Sequence, residues 1–292
     1  MNLSERRIDC FEEQRPRLRG LAGRMLGSSA EAEDAVQEAW LRFDRADGEP
    51  IENVSGWLTT VVTRICLNLL RARQTRREDP LETVDRPLMD VAGATAPEGE
   101  AELAEEVGLA LLVVLDQLSP AERVAFVLHD LFEVPFDDMA PMMERSTAAV
   151  RQLASRARRR VRGLPAPTPD AARARRAVDA YLAATRSGDF EALLTLLDPD
   201  VVLYADERVV PSPAPLTLQG ALAVARSAMG AVERARTTEI ALVEGAPALV
   251  MAPLGRLAVV MRFTVGADGI REIDVIAAPE RLRTLEIAML ED

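Results

Sequence analysis

Apolar residues recur at helical spacing through the first 80 positions of the chain. Cys10, Phe11, Leu18, Leu21, Met25 and Leu26 fall along one face of a first helical hairpin. Over residues 31–43 the apolar positions are Ala35, Val36, Ala39, Trp40 and Phe43, while Asp34, Gln37, Glu38 and Arg42 point elsewhere. Gly48 and Pro50 break the pattern in a loop over 44–55. A long helix is then expected over 56–77, apolar at Trp57, Leu58, Val61, Val62, Ile65, Leu69 and Leu70, and basic at its far end.

The sharpest pattern lies in residues 118–162. Two short helices are expected first, then a tight turn at Glu144-Arg145-Ser146, then a third helix. Ser146 or Thr147 is suited to cap that helix, because a hydroxyl there accepts the free amide protons of the first turn. Val150, Leu153, Ala154, Ala157 and Val161 form one apolar stripe, and Ala148, Arg151, Gln152, Ser155 and Arg159 lie opposite. From Arg145 to Arg162 there are seven arginines and no acid. A helix with one greasy and one cationic stripe, entered through a tight turn, suits the DNA major groove. The same composition also describes an ordinary solvated surface, so both readings stand on this stretch alone.

After residue 170 the pattern changes. Helices are expected over 171–187, 190–197 and 218–234. Strands are expected over 201–205, 238–243, 248–252, 257–265 and 270–277, with turns at Gly245-Ala246-Pro247 and Gly266-Ala267-Asp268-Gly269. Helices followed by an antiparallel meander make an α+β domain. The expected organisation is multidomain: an all-α helical bundle over 1–80, an acidic linker over 81–107, a helix-turn-helix over 108–163, a proline-rich linker over 164–169, and the α+β domain over 170–292.

Charge sharpens this picture. The net charge is −12, which argues against nucleic acid until its distribution is considered. Residues 64–77 hold five arginines and no acid, whereas residues 78–107 hold ten acids and one arginine. DNA affinity follows local phosphate neutralisation, so two cationic blocks flanking an acidic connector are compatible with guided binding. All 35 basic residues are arginine. Cys10 and Cys66 lack metal-ligand spacing, and neither a metal nor a cofactor is expected. The longest apolar stretch, 107–115, is too short to span a bilayer, and no signal peptide is expected, since Arg6 and Arg7 lead into no long apolar run. A cytoplasmic protein without membrane partners is the expectation.

These pieces resemble the extracytoplasmic-function group of bacterial sigma factors. Residues 31–43 resemble region 2.2, whose helix docks on the clamp helices of the β′ subunit of core RNA polymerase. The resemblance places Asp34, Gln37 and Glu38 among the docking residues. Residues 56–77 resemble regions 2.3 and 2.4, which open the promoter −10 element. It implies backbone contacts from Arg64, Arg71, Arg73, Arg76 and Arg77, a stacking surface at Trp57, and base-edge contacts from Asn53 and Ser55 in the preceding loop. Core packing of Trp57 is an equally good reading. Residues 118–162 resemble regions 4.1 and 4.2, which read the −35 element as duplex and meet the β flap. Ser146, Thr147, Ala148, Arg151, Gln152, Ser155, Arg156 and Arg159 would face that DNA.

The run Ser146-Thr147-Ala148-Ala149-Val150-Arg151-Gln152-Leu153-Ala154-Ser155-Arg156-Ala157-Arg158 is close to the form in one subgroup. That subgroup carries a C-terminal SnoaL-like domain, the cone-shaped fold shared with nuclear transport factor 2 and small polyketide cyclases. There are departures. Arg86-Pro87-Leu88-Met89 stands where the subgroup has Trp-Leu-Pro-Glu-Pro; Ala205-Asp206-Glu207-Arg208 replaces Asp-Gly-Gly-Gly; and Ala278-Pro279-Glu280-Arg281-Leu282 replaces Asn-Pro-Asp-Lys-Leu. The drift puts the subgroup's usual contact between tail and sigma core in doubt.

Catalysis in such a cone needs a general acid or base. The single histidine, His129, lies in the helix-turn-helix, and the tail offers Tyr181, Tyr204, Asp206, Arg262 and Asp274 without a suggestive acid–base spacing. The chain is therefore expected to be a non-enzymatic alternative sigma factor. Its partners would be core polymerase and promoter DNA, with a small ligand or a regulatory protein at the tail. Two other readings stay open. One is a ligand-responsive helix-turn-helix regulator that works without polymerase; the other is a DNA-binding module joined to a small cyclase-like or isomerase-like enzyme.

Overall fold

A computed structural model describes residues 3–46, 51–78, 107–162, 169–209, 214–252 and 257–289. The linker expectations over 81–106 and 164–168, with the segment Arg86–Met89, lie outside the described residues. The helices of the first half are α1 (Leu3–Leu26), α2 (Ser29–Asp44), α3 (Val54–Glu78), α4 (Leu109–Asp116), α5 (Pro120–Phe126), α6 (Phe136–Met143) and α7 (Thr147–Arg162). The chain divides into two compact units. One holds α1–α3 with residues 118–159; the other holds residues 108–117 and everything from Arg160 onward.

In the first unit, α1 and α2 form the expected hairpin. Gly27 turns the chain with φ 69°, and the Ser28 hydroxyl caps α2 by accepting the Glu31 N–H at 3.4 Å. Leu18, Leu21, Met25, Ala35, Ala39 and Leu58 are sealed between α1, α2 and α3. Phe11, Trp40, Phe43 and Trp57 make an aromatic row with ring centroids 4.9, 6.2 and 5.8 Å apart. Helix α3 packs on α5 and α6. Cys66 is wholly buried there, and burial pushes its thiol up to about 12, so it behaves as a small apolar side chain.

The helix-turn-helix follows its sequence pattern closely. Ser119 and Glu122 form a reciprocal capping box at the start of α5. A π-helical turn over Val127–Leu131, which periodicity did not foretell, carries His129; its ring stacks on Phe136 at 3.8 Å. Helix α6 ends on Glu144, whose φ of 54° supplies the left-handed turn into α7.

The second unit is built on one mixed sheet in the order β2-β1-β6-β5-β4-β3-β7. The strands are β1 (Leu197–Ala205), β2 (Leu216–Gln219), β3 (Thr238–Val243), β4 (Ala246–Met251), β5 (Val259–Val265), β6 (Ile270–Ile276) and β7 (Ile287–Ala288). Helices α8 (Pro169–Ser187), α9 (Phe190–Leu196), α10 (Ala221–Met229), α11 (Val232–Ala235) and α12 (Pro279–Leu282) complete it. Helix α8 lies on β4 and β5, and α10 on β1. The sheet face beneath them carries Leu203, Ile273, Phe263 and Leu249; Tyr204, Arg262, Thr264 and Glu272 point to the other side.

Several expectations need correction. The strands β3 to β6 form the expected antiparallel meander, but β1 joins β6 in parallel. Leu197 belongs to β1 rather than to the preceding helix. The helix expected over 218–234 begins late: Leu216–Gln219 is a strand, Gly220 turns with φ 90°, and only then does α10 start. The β3–β4 turn is Glu244-Gly245, with φ of 52° and 77°, so Ala246 and Pro247 are strand residues. The sequence pattern runs helix α4 into the helix-turn-helix. It packs instead on β3 and β7, and its Ala110 N–H donates to Glu239 Oε2 at 2.9 Å. An all-apolar segment, Leu109 to Leu115, carries no polar stripe to show which partner it covers.

The two tail segments that depart from the subgroup's pattern meet. Asp206 Oδ2 accepts the N–H groups of Ala277 and Ala278 at 2.8 and 2.9 Å. Arg281 bridges the Asp206 and Asp274 carboxylates at 3.7 and 2.9 Å. A carboxylate holding two backbone donors pins the end of β6 to the end of β1.

Candidate nucleic-acid interface

Helix α7 presents the first candidate surface. The Ser146 hydroxyl accepts the Ala149 N–H at 3.3 Å and caps the helix. Val150, Ala154 and Ala157 are fully sealed on the inner stripe. Ala148, Arg151, Gln152, Ser155, Arg156 and Arg159 are exposed, as is Ser146, and Thr147 is half-buried at the first turn. The structure therefore gathers the expected −35 set on one accessible face. The Arg151 guanidinium sits 5.6 Å from the Phe136 ring centroid, so α6 steers the side chain most central to that face. Arg158 is drawn away from this face by an ion pair with Asp130.

The basic end of α3 is less uniform. Arg64 and Arg71 are exposed, and Arg64 donates to the Pro141 carbonyl of α6 at 3.0 Å. Arg73 is turned inward. It donates to the Leu26 carbonyl at 2.9 Å and pairs with Glu31, and its side chain is only 14% exposed. It ties the end of α1 to the start of α2, which conflicts with the expected backbone contact. The side chains of Arg76 and Arg77 lie outside the described residues.

Upstream, Trp57 is half-buried at the end of the aromatic row, as the core-packing reading expects. Asn53 Oδ1 accepts the Gly56 N–H at 2.8 Å and caps α3; a Cβ on Gly56 would meet the Asn53 amide at 2.7 Å. The Ser55 hydroxyl donates to Gln14 Oε1 at 2.9 Å. Both side chains thus serve the fold, while Asn53 stays exposed. Residues 47–50 of this loop are outside the described residues.

A second kind of surface lies on α2. Asp34, Gln37 and Glu38 are exposed at i, i+3 and i+4, the spacing that places side chains side by side. Glu38 pairs with Arg42 at 3.0 Å. Leu41 stands beside them, 41% exposed, and was missed on the sequence. Its spacing from Gln37 and Glu38 was the available signal: a leucine on the polar face of an amphipathic helix. Among the described residues no group of three or more His, Cys, Asp or Glu side chains is placed to hold a metal, and no helix is long and apolar enough to cross a membrane.

Comparison with known proteins coincides with these surfaces. Residues 10–76 match the Sigma-70 region 2 family and residues 108–161 match the Sigma-70, region 4 family. The chain is 42% identical over 228 residues to the ECF RNA polymerase sigma factor SigJ of Mycobacterium tuberculosis, covering 77% of this chain and 72% of that protein. It is 35% identical over 268 residues to the probable ECF RNA polymerase sigma factor SigI of the same species, covering 91% of each. The crystal structure of the M. tuberculosis extracytoplasmic function sigma factor SigJ aligns over 94% of this chain and 97% of that one, at 32% identity and a TM-score of 0.45. With both sigma regions matched and two relatives of one kind covered over 72% and 91% of their length, the chain belongs to the ECF RNA polymerase sigma factors.

Proposed function

We propose that the chain binds core RNA polymerase in the cytoplasm and directs it to promoters, performing no covalent chemistry itself. The observation that carries this reading is the exposed face of α7, where Arg151, Gln152, Ser155, Arg156 and Arg159 stand clear of a sealed apolar stripe. Arginine and glutamine offer bidentate pairings to guanine and adenine edges in the major groove. Ser146, Thr147 and Ala148, at the helix start, approach the DNA backbone, where a helix N-terminus favours phosphate.

Residues 1–80 and 108–163 act as the two working modules, joined by the acidic segment 81–107. On α3, Arg64 and Arg71 contact the opened −10 strands together with Arg76 and Arg77. Arg64 exchanges the Pro141 carbonyl for a phosphate as it does so. Arg73 leaves this set because its side chain is already committed. Asn53, Ser55 and Trp57 can reach bases only by giving up a cap, a hydrogen bond and a ring contact respectively. Asp34, Gln37 and Glu38, with Leu41, form the docking face for the β′ clamp helices: acids around one apolar side chain complement a basic partner. The β flap meets the second module.

The tail is SnoaL-like in its order of helices and strands and modulates activity through α4. That helix lies inside the region 4 match yet is covered by β3 and β7 of the tail. Run-off transcription tests the whole reading. Core polymerase with the full chain is expected to yield discrete transcripts from members of a promoter library on which core alone is silent. Deleting residues 170–292 uncovers Leu109, Leu112, Val113, Val114 and Leu115, so the shortened chain should bind an apolar dye and give a different transcript yield. Absence of any promoter-specific transcript from the full chain contradicts the reading.

A further inference from the structure

The sheet face under α8 and α10 does not close completely. A cavity of about 140 Å³ remains between α8, the α10–α11 segment and strands β1, β4, β5 and β6. Its walls are largely aliphatic, among them Leu203, Leu249, Met251, Met261 and Val275. Among the described residues the lining contains no aspartate, glutamate, histidine or cysteine. Without a carboxylate, imidazole or thiol in the lining, the cavity is better suited to binding than to turnover.

One polar group inside it is unaccounted for. Tyr181 is 3% exposed, and its ring meets Phe263 edge-on at 5.2 Å, yet its hydroxyl makes no hydrogen bond with the described residues. The hydroxyl borders the cavity, where an occupant can accept its hydrogen bond. The neighbouring hydroxyls are already directed to the backbone: Thr185 donates to the Tyr181 carbonyl at 2.8 Å and Thr238 to the Arg234 carbonyl at 2.9 Å. Arg234 donates to the Gly230 carbonyl at 3.4 Å, and Ser227 is exposed. Burial raises the Tyr181 hydroxyl to about 12, so at neutral pH it keeps its proton and offers a donor. The polar lining is sparse: among the described residues, besides Tyr181, only Ser227, Arg234 and the two committed threonines contribute polar side chains, so the space favours a mainly apolar occupant.

We propose that this cavity binds a neutral, single-ring molecule carrying one carbonyl, which accepts a hydrogen bond from Tyr181 while its ring fills the aliphatic walls. The size supports one ring: an apolar cavity of about 150 Å³ holds a benzene molecule. The lack of a carboxylate in the lining gives a cationic ligand no counter-charge. This site stands on the second unit alone and does not depend on the sigma reading.

The test uses the full chain with two probes of matched shape, acetophenone and ethylbenzene, followed by calorimetry. Methyl shifts of Met251 and Met261 report occupancy without any substitution. Both probes are expected to bind and to shift those methyl signals, with acetophenone the tighter. Tyr181→Phe should weaken acetophenone about fivefold, the ordinary worth of one neutral hydrogen bond, and leave ethylbenzene unchanged. Ala228→Leu, which fills the cavity from α10, should abolish both. The proposal is overturned if neither probe moves the methionine signals at millimolar concentration. It is equally overturned if Tyr181→Phe affects both probes alike or neither, or if a folded Ala228→Leu chain still binds them.

Discussion

Arg151→Ala combined with Gln152→Ala is expected to lower transcription from a cognate promoter by about thirtyfold or more while leaving the complex with core polymerase intact. Each side chain is exposed on the outer face of α7, and neither belongs to its sealed stripe. A bidentate contact to a base edge is worth about 1–3 kcal/mol, so losing two removes at least about 2 kcal/mol of discrimination. The folded protein barely changes: the contact of Arg151 with the Phe136 ring is an exposed cation–π pair worth about 0.5–1 kcal/mol. Promoter-specific run-off and polymerase binding, measured on the same preparation, separate the two effects. Equal loss of both would show that α7 acts on polymerase rather than on duplex DNA.

Arg73→Ala should behave differently from Arg71→Ala, although the two arginines are neighbours in sequence and alike in composition. Arg73 holds the Leu26 carbonyl and Glu31, and its removal takes one cation from that carboxylate and one donor from that helix-end carbonyl. Breaking a buried pair costs about 3–5 kcal/mol; Glu31 is 37% exposed here, so about 2 kcal/mol is the scale. A melting temperature lower by roughly 4–8 °C is expected. Arg71 is exposed, and its loss should leave the melting temperature unchanged while reducing the salt dependence of DNA binding by about one contacted phosphate. The reverse pattern would return Arg73 to the DNA surface.

The contrast between these arginines shows what the sequence could carry. The stripe of α7 was legible because apolar and cationic positions separate at one period within a single helix, and burial follows that period residue by residue. The inward turn of Arg73 was not, because Glu31 and Leu26 lie far away in the chain and no local pattern records their approach. Asn53 shows the same ambiguity at short range: an exposed amide before a helix can cap it or read a base, and here it caps. In the tail, strands β3 to β6 were visible as runs of β-branched and aliphatic residues. The parallel β1–β6 pair was hidden because its partners are joined only through the intervening helices and strands. Half of β2, Leu218 and Gln219, is absorbed into the helix expected to follow, with Gly220 as the unread boundary. The place of α4 was illegible for a different reason: a segment apolar on every side names no neighbour.

The central claim is that this chain works while held to a much larger enzyme, and co-migration with purified core RNA polymerase tests it most directly. The full chain is predicted to form a stable complex. Asp34→Arg combined with Glu38→Arg should weaken it at least about tenfold by setting like charges against a basic partner; losing the exposed Glu38–Arg42 pair and adding like charges at i,i+4 lowers the melting temperature only slightly. Failure of the unaltered chain to enter a complex with core polymerase, or a complex indifferent to that charge reversal, would contradict the account.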